Sequence, residues 1–141
     1  KKVLFLCTGN SCRSQMAEAW VNALKPNEWE AFSAGIETHG MNPFAISVMA
    51  ESGVDMTGQY SKNIDELKNQ TFDLVVTVCD HAARHCPSLP TSISVKHIPF
   101  DDPPALAKNA ANETEILVSY RQVRDQIKTF VESDQLSTAV S

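Results

Sequence analysis

The chain has 141 residues, 43% of them apolar, which suits one domain over residues 1–141 with its own core and excludes a disordered segment. No apolar run approaches the ~18–20 residues that a membrane-spanning helix needs. The net charge of −5 argues against nucleic-acid binding, and it means that any anion site must be built by local geometry.

In chain order, residues 2–6 are an apolar run that reads as a first strand. Residues 14–25 read as a helix, with Met16, Trp20 and Leu24 on one face and Pro26 beyond its end. Residues 29–34 form a second strand, followed by Gly35. Asn42 and Pro43 open the next helix as cap and first residue, and Gly53 closes it. A short helix is expected over 63–68, a third strand over 73–78 and a fourth over 94–98. Between the last two, Asp80 can cap a short helix whose extent Pro87 limits. The final helix starts near Asn112, with Glu115 completing a capping box. Ile116, Tyr120, Val123, Ile127 and Phe130 give it an apolar stripe. Residues 133–141 read as a loose polar tail. This alternation predicts an α/β fold, a four-stranded parallel sheet with helices on both faces. Ligands of such sheets bind beyond the carboxyl ends of the strands.

Between the first strand and the first helix stands Cys7-Thr8-Gly9-Asn10-Ser11-Cys12-Arg13-Ser14. Amides at a helix start point inward and the helix dipole favours negative charge, so the loop reads as an oxyanion site. Thr8, Gly9, Asn10, Ser11, Cys12, Arg13 and Ser14 are the candidate anion-binding residues. Gly9 is expected to adopt backbone angles that other residues avoid. Arg13 offers a planar fork of donors to two anion oxygens. The same positive field should lower the pKa of Cys7 and aim a thiolate at the anion's central atom. Cys7, Cys79 and Asp102 each follow a strand, so they fall on one sheet edge.

Cys-x5-Arg-Ser directly after a first strand resembles the low-molecular-weight tyrosine phosphatases. That family carries a late Asp-Pro pair whose aspartate is the general acid, and Asp102 before Pro103 matches it. Proline confines the preceding residue to extended conformations, which fixes the direction of that carboxyl. CTGNSCRSQMAEAW, SAGIETHGMNP, DLVVTVCD and HIPFDDP together resemble the thiol-dependent arsenate reductases built on the phosphatase fold, over most of the chain. The resemblance implies strand order 2-1-3-4, a loop stabilised by Asn10, and a hydrogen bond from Ser14 to the Cys7 thiolate. It also implies that Cys7, Arg13, Asp102, Cys79 and Cys86 are catalytic and that thioredoxin is the reductant, ahead of a glutaredoxin and glutathione system.

Redox arithmetic agrees with that implication, because arsenate reduction takes two electrons and one disulfide supplies two. In the implied sequence Cys7 attacks arsenic while Asp102 protonates the departing oxygen. Cys79 then attacks the Cys7 sulfur, arsenite leaves, and Cys86 attacks Cys79 to leave a redox disulfide between Cys79 and Cys86. If 80–86 is helical, the Cα atoms of those two cysteines lie roughly 10 Å apart, against the ~4.4–6.8 Å that a disulfide needs, so the segment must unwind. Cys12 is left without an obligatory redox role.

Rival readings are a tyrosine phosphatase and a non-enzymatic oxyanion-binding or redox-sensor protein. Cys79, Cys86 and Pro104 argue against the first, since phosphatases usually carry an aromatic residue where Pro104 stands. Asp102 argues against the second, because a carboxylate beside a bound dianion helps only as a proton donor. Weak phosphatase side activity is expected, as is competition from phosphate or sulfate. Cys79, His81, His85 and Cys86 do not match the usual zinc spacings, so no metal site is expected. No cofactor is required. Some members bind potassium through side chains corresponding to Asn10, Glu18, Ser33 and position 62. The last is an aspartate in those members and Lys62 here, which argues against a potassium site. No secretory segment is evident, and a cytoplasmic monomer without membrane or nucleic-acid partners is the expectation.

Overall fold

A computed structural model describes residues 1–67, 69–79, 93–133 and 135–139. Four strands, β1 (Lys2–Cys7), β2 (Glu30–Gly35), β3 (Leu74–Thr77) and β4 (Ser94–His97), pair in parallel in the order β2-β1-β3-β4. This is the topology that the sequence resemblance implies. Val3, Leu4, Phe5 and Leu6 of the central strand β1 are all buried, so both faces of the sheet are covered there, and that is why the strand reads as a continuous apolar run. The edge strand β4 is largely exposed and carries Lys96, a charge that discourages further pairing.

The helices are α1 (Arg13–Leu24), α2 (Pro43–Glu51), a short α3 (Pro103–Leu106), α4 (Glu113–Glu132) and α5 (Gln135–Ala139). The segment expected as a short helix over 63–68 is a single 3-10 turn, Ile64–Leu67. Asn42 caps α2 by accepting from the amides of Phe44 and Ala45, and Gly53, at φ 80°, follows its end. At α4, Asn112 accepts from the Glu115 amide. Glu115 reaches back to the amide of Ala111, one residue before the cap, so the expected box is displaced by one residue.

Trp20 of α1 is buried and its indole N–H donates to the Arg124 carbonyl of α4 at 3.2 Å. Tyr120, Val123, Ile127 and Phe130 form the buried stripe of α4, and Ile116 is half-buried at its start. Leu24, expected to stack under Trp20, is instead exposed at the last residue of α1. Phe100 meets Phe130 edge-on with ring centroids 5.7 Å apart, which ties the chain after β4 to α4 just before Asp101 and Asp102.

The tail corrects a second expectation. Residues Gln135–Ala139 form a helical turn, and Leu136 is only 2% exposed. One apolar side chain among polar neighbours gives no visible periodicity, so only packing reveals its burial. Leu136→Ala is expected to destabilise the protein by about 2 kcal/mol or more in a urea titration. A loss within error would restore the loose tail.

Candidate active site

The register of β1 with β2 sets Cys7 beside Gly35, so the chain leaving β2 runs alongside the loop that leaves β1. The amides of Ile36, Glu37, His39 and Asn42 donate to the carbonyls of Cys7, Thr8, Gly9 and Ser11 at 3.1, 2.9, 3.0 and 3.0 Å. Gln15 Nε2 donates to the Asn10 carbonyl at 3.1 Å, and Ser61 adds a second donor to Gly9 at 2.9 Å. Every carbonyl from Cys7 to Ser11 is thereby held outward. A trans peptide points its N–H opposite to its C=O, and the described residues contain no cis peptide. The amides of Thr8, Gly9, Asn10, Ser11 and Cys12 are therefore turned inward, toward a pocket of about 320 Å³ lined by Cys7, Arg13 and the loop. Cys12 makes no side-chain cap at α1 and the first turn holds no acidic residue, which leaves this helix end for an anion.

The left-handed angle expected of Gly9 falls one residue later. Asn10, not Gly9, adopts the left-handed conformation, at φ 50°. It is fixed by its side chain, which donates to Ser14 Oγ at 2.9 Å and accepts from Gln15 Nε2 and the Lys62 amide at 2.8 Å each. Ser14 Oγ is the acceptor of that Asn10 bond, which leaves its own O–H as a donor for the Cys7 thiolate that the resemblance implied. Gly9 is small for another reason. A Cβ there would lie 2.2 Å from Nδ1 of His39. Gly35 is likewise excluded from having a side chain, since a Cβ would meet the carbonyls of Glu37 and Thr8 at 2.3 and 2.8 Å.

Arg13 is anchored from behind, donating to the Phe100 carbonyl at 3.0 Å and more weakly to Val78 at 3.4 Å. Its other terminal nitrogen lies 3.7 Å from Asp102 Oδ1. The two neighbouring aspartates separate cleanly. Asp101 accepts from Gln126 Nε2 of α4 at 2.8 Å. Asp102, extended before Pro103, makes no capping bond to α3 and lines the pocket, half-exposed.

Cys7, Cys12 and Cys79 are all buried. Thr8 Oγ1 and Cys79 Sγ lie 3.3 Å apart. The Cys7 thiol is pushed up, first by its hydrogen bond with Cys79, then by burial and by charge on Cys79. Arg13 and the Thr8 amide pull it down but do not prevail. The lone, low-pKa thiolate expected from the loop is therefore not what this geometry favours: the Cys79 sulfur and burial outweigh the pull of Arg13. Burial pushes Cys12 up to about 12, which fits a thiol without redox duty. Cys86, with Asp80, His81, His85 and the helix expected around them, lies outside the described residues.

Beneath the loop, Asn10, Glu18, Ser33 and Lys62 converge. Ser33 Oγ donates to Glu18 Oε1 at 2.9 Å, and the Lys62 ammonium lies 3.9 Å from that oxygen, donating to the Tyr60 carbonyl at 3.1 Å. Burial pushes Glu18 up and Lys62 down, and in each the attraction of the partner only partly offsets it. Among the described residues no buried side-chain nitrogen or oxygen lacks a partner.

His39 was not singled out by the sequence reading. The available signal was positional, since residues just after Gly35 must run beside the loop once β2 pairs with β1.

Residues 2–140 match the family model for low molecular weight phosphotyrosine protein phosphatases. The chain is 48% identical over 137 residues to a Halalkalibacterium halodurans protein named arsenate reductase, covering 94% of this chain and 96% of that one. It is 46% identical over 133 residues to arsenate reductase 2 of Staphylococcus epidermidis, covering 94% and 95%. A solved structure described as an arsenate reductase in the phosphate binding state is 32% identical, with a TM-score of 0.76, covering 100% of this chain and 99% of that one.

Removing the Cys79 sulfur removes the first cause that holds the Cys7 thiol up. Cys79→Ala should therefore lower the Cys7 pKa and speed its alkylation by iodoacetamide at pH 7 by about ten-fold or more, in proportion to the larger thiolate fraction. Peptide mass spectrometry reads the rate, and an unchanged or slower reaction would contradict the influence of Cys79 on Cys7.

Proposed function

The chain belongs to the low molecular weight phosphotyrosine protein phosphatase family, and within it we propose that this protein is an arsenate reductase. The observation that carries this reading is a second buried sulfur, Cys79, close enough to the loop cysteine to govern its titration. A phosphatase needs one cysteine, whereas reduction needs a second sulfur within reach of the first.

Arsenate enters the pocket onto the inward amides, with Arg13 on its equatorial oxygens. Loss of its proton arms Cys7, which attacks arsenic. Asp102 carries a proton to the departing oxygen, which leaves as water. Cys79 then attacks the Cys7 sulfur. The electron pair of the sulfur–arsenic bond stays on arsenic, which leaves as arsenite, As(III), and a disulfide between Cys7 and Cys79 remains. The Thr8 hydroxyl supports this step by its 3.3 Å contact with the attacking sulfur. Cys86 attacks Cys79 in turn, Cys7 is released as thiolate, and thioredoxin reduces the disulfide between Cys79 and Cys86. The enzyme works as a cytoplasmic monomer. Phosphate and sulfate compete for the same amides, and a weak phosphatase activity accompanies the main one because the loop, Arg13 and Asp102 serve both reactions.

No metal cofactor is needed on this reading: Lys62 stands at the sequence position where some members carry a potassium-binding aspartate, and its ammonium lies 3.9 Å from Glu18. Potassium and sodium chloride at equal ionic strength should act alike on the rate and the melting temperature. A gain specific to potassium would refute this, and Lys62→Asp should introduce one.

Arsenate-dependent NADPH oxidation, coupled to thioredoxin and its reductase, tests the function directly. A parallel assay with glutaredoxin and glutathione tests the reductant. Cys7→Ser should abolish both arsenate reduction and phosphatase activity. Cys79→Ser should abolish reduction and spare the phosphatase activity, whereas turnover of arsenate by Cys79→Ser at the wild-type rate would exclude the relay.

A further inference from the structure

The segment 36–42 that holds the loop carbonyls also sends one side chain into the pocket wall, and nothing in the relay uses it. We propose that His39 is a specificity-determining residue whose imidazole narrows the pocket mouth, admitting a bare inorganic oxyanion and turning away the aryl group of a phosphate monoester. The proposal rests on the reading of this pocket as an arsenate site.

Three observations place the ring there. Its Nδ1 and Cγ would lie 2.2 and 2.5 Å from a Cβ at Gly9, so the imidazole sits directly on the loop that cradles the anion. It lines the same pocket as Cys7, Arg13, Asp102 and Pro104. Its side chain is 53% exposed, so it stands at the rim between pocket and solvent, not in the interior.

The ring is also held. Its backbone amide donates to the Gly9 carbonyl at 3.0 Å. Nε2 lies 2.8 Å from Glu37 Oε1, and a carboxylate only accepts, so Nε2 carries the proton and the ring orientation is set. An oxyanion lies wholly inside the pocket, below this rim. The ester oxygen of an aryl phosphate must instead carry its ring out past the other lining residues at the mouth, His39, Asp102 and Pro104. That path either displaces the imidazole or buries its bond to Glu37 against an apolar group, and either outcome weakens the ester alone. Gly9 is the complement of this arrangement, since any side chain there would expel the imidazole.

The test is binding, read by calorimetry on the reduced full chain, with inorganic phosphate as the small anion and benzylphosphonate as the aryl one. His39→Ala should lower the ratio of the benzylphosphonate Kd to the phosphate Kd by about five-fold, while His39→Gln, which keeps bulk and a donor toward Glu37, should stay near wild type. Glu37→Ala, which frees the ring, should shift the ratio in the same direction as His39→Ala and decides the matter should that variant fail to fold. A ratio unchanged in both alanine variants, or lowered as much by His39→Gln, overturns the proposal. Because the readout is binding, a protein that failed to reduce arsenate would refute the reductase reading and leave this result to stand on its own.

Discussion

Everything at this site depends on where the carbonyls of residues 7–11 go. A backbone loop that turned them inward would present partial negative charge and repel an oxyanion. Here amides of the segment after β2, with Gln15 and Ser61, satisfy them from outside. The planarity of the peptide then delivers the amides to the inside without further help. The parallel pairing of β1 with β2 is what makes this possible, because it sets the two exiting segments side by side with Cys7 opposite Gly35. Gly35 allows the close approach, and Asn42 continues it by joining the loop to the cap of α2 and to the Tyr120 hydroxyl of α4 at 2.9 Å.

The same compactness sets the chemistry of the thiols. Burial and a shared hydrogen bond raise Cys7, while Arg13 and the loop amide oppose them. A thiol whose titration is governed first by a neighbouring sulfur differs from a lone cysteine in the same loop. The network under the loop follows a related logic. A buried ammonium and carboxylate gain little net stability from each other, but Lys62 and Glu18 sit next to Asn10, whose left-handed backbone defines the turn of the loop. Their pairing favours one loop shape over alternatives.

Much of this was legible in the chain itself. The apolar runs and the 3.6-residue periodicities placed four strands and the principal helices to within a residue or two. Cys7 and Arg13 were singled out by residue type and position, and Asp102 by its match to the Asp-Pro pair of the resembled family, the proline separating it from Asp101. Expectations failed where a side chain's fate depended on segments distant in sequence. Gly9 looked like a residue needed for its backbone angles, because a glycine in a tight loop usually is, but the constraint on it comes from His39, thirty residues later. Leu136 found a buried place that no local pattern announces.

The sequence by itself determined the elements, the order of chemistry along the sheet edge, and the family, because these follow from periodicity, turn residues and short motifs within a few residues of one another. Only the tertiary structure decided which loop residue takes the left-handed conformation, that the Cys79 sulfur is the first influence on the Cys7 thiol, that Lys62 is buried against Glu18, and that an imidazole stands at the mouth of the pocket. Each of these depends on distances between segments brought together by strand pairing and helix packing, and on the dielectric that their burial creates. Neither quantity is carried by any local stretch of residues.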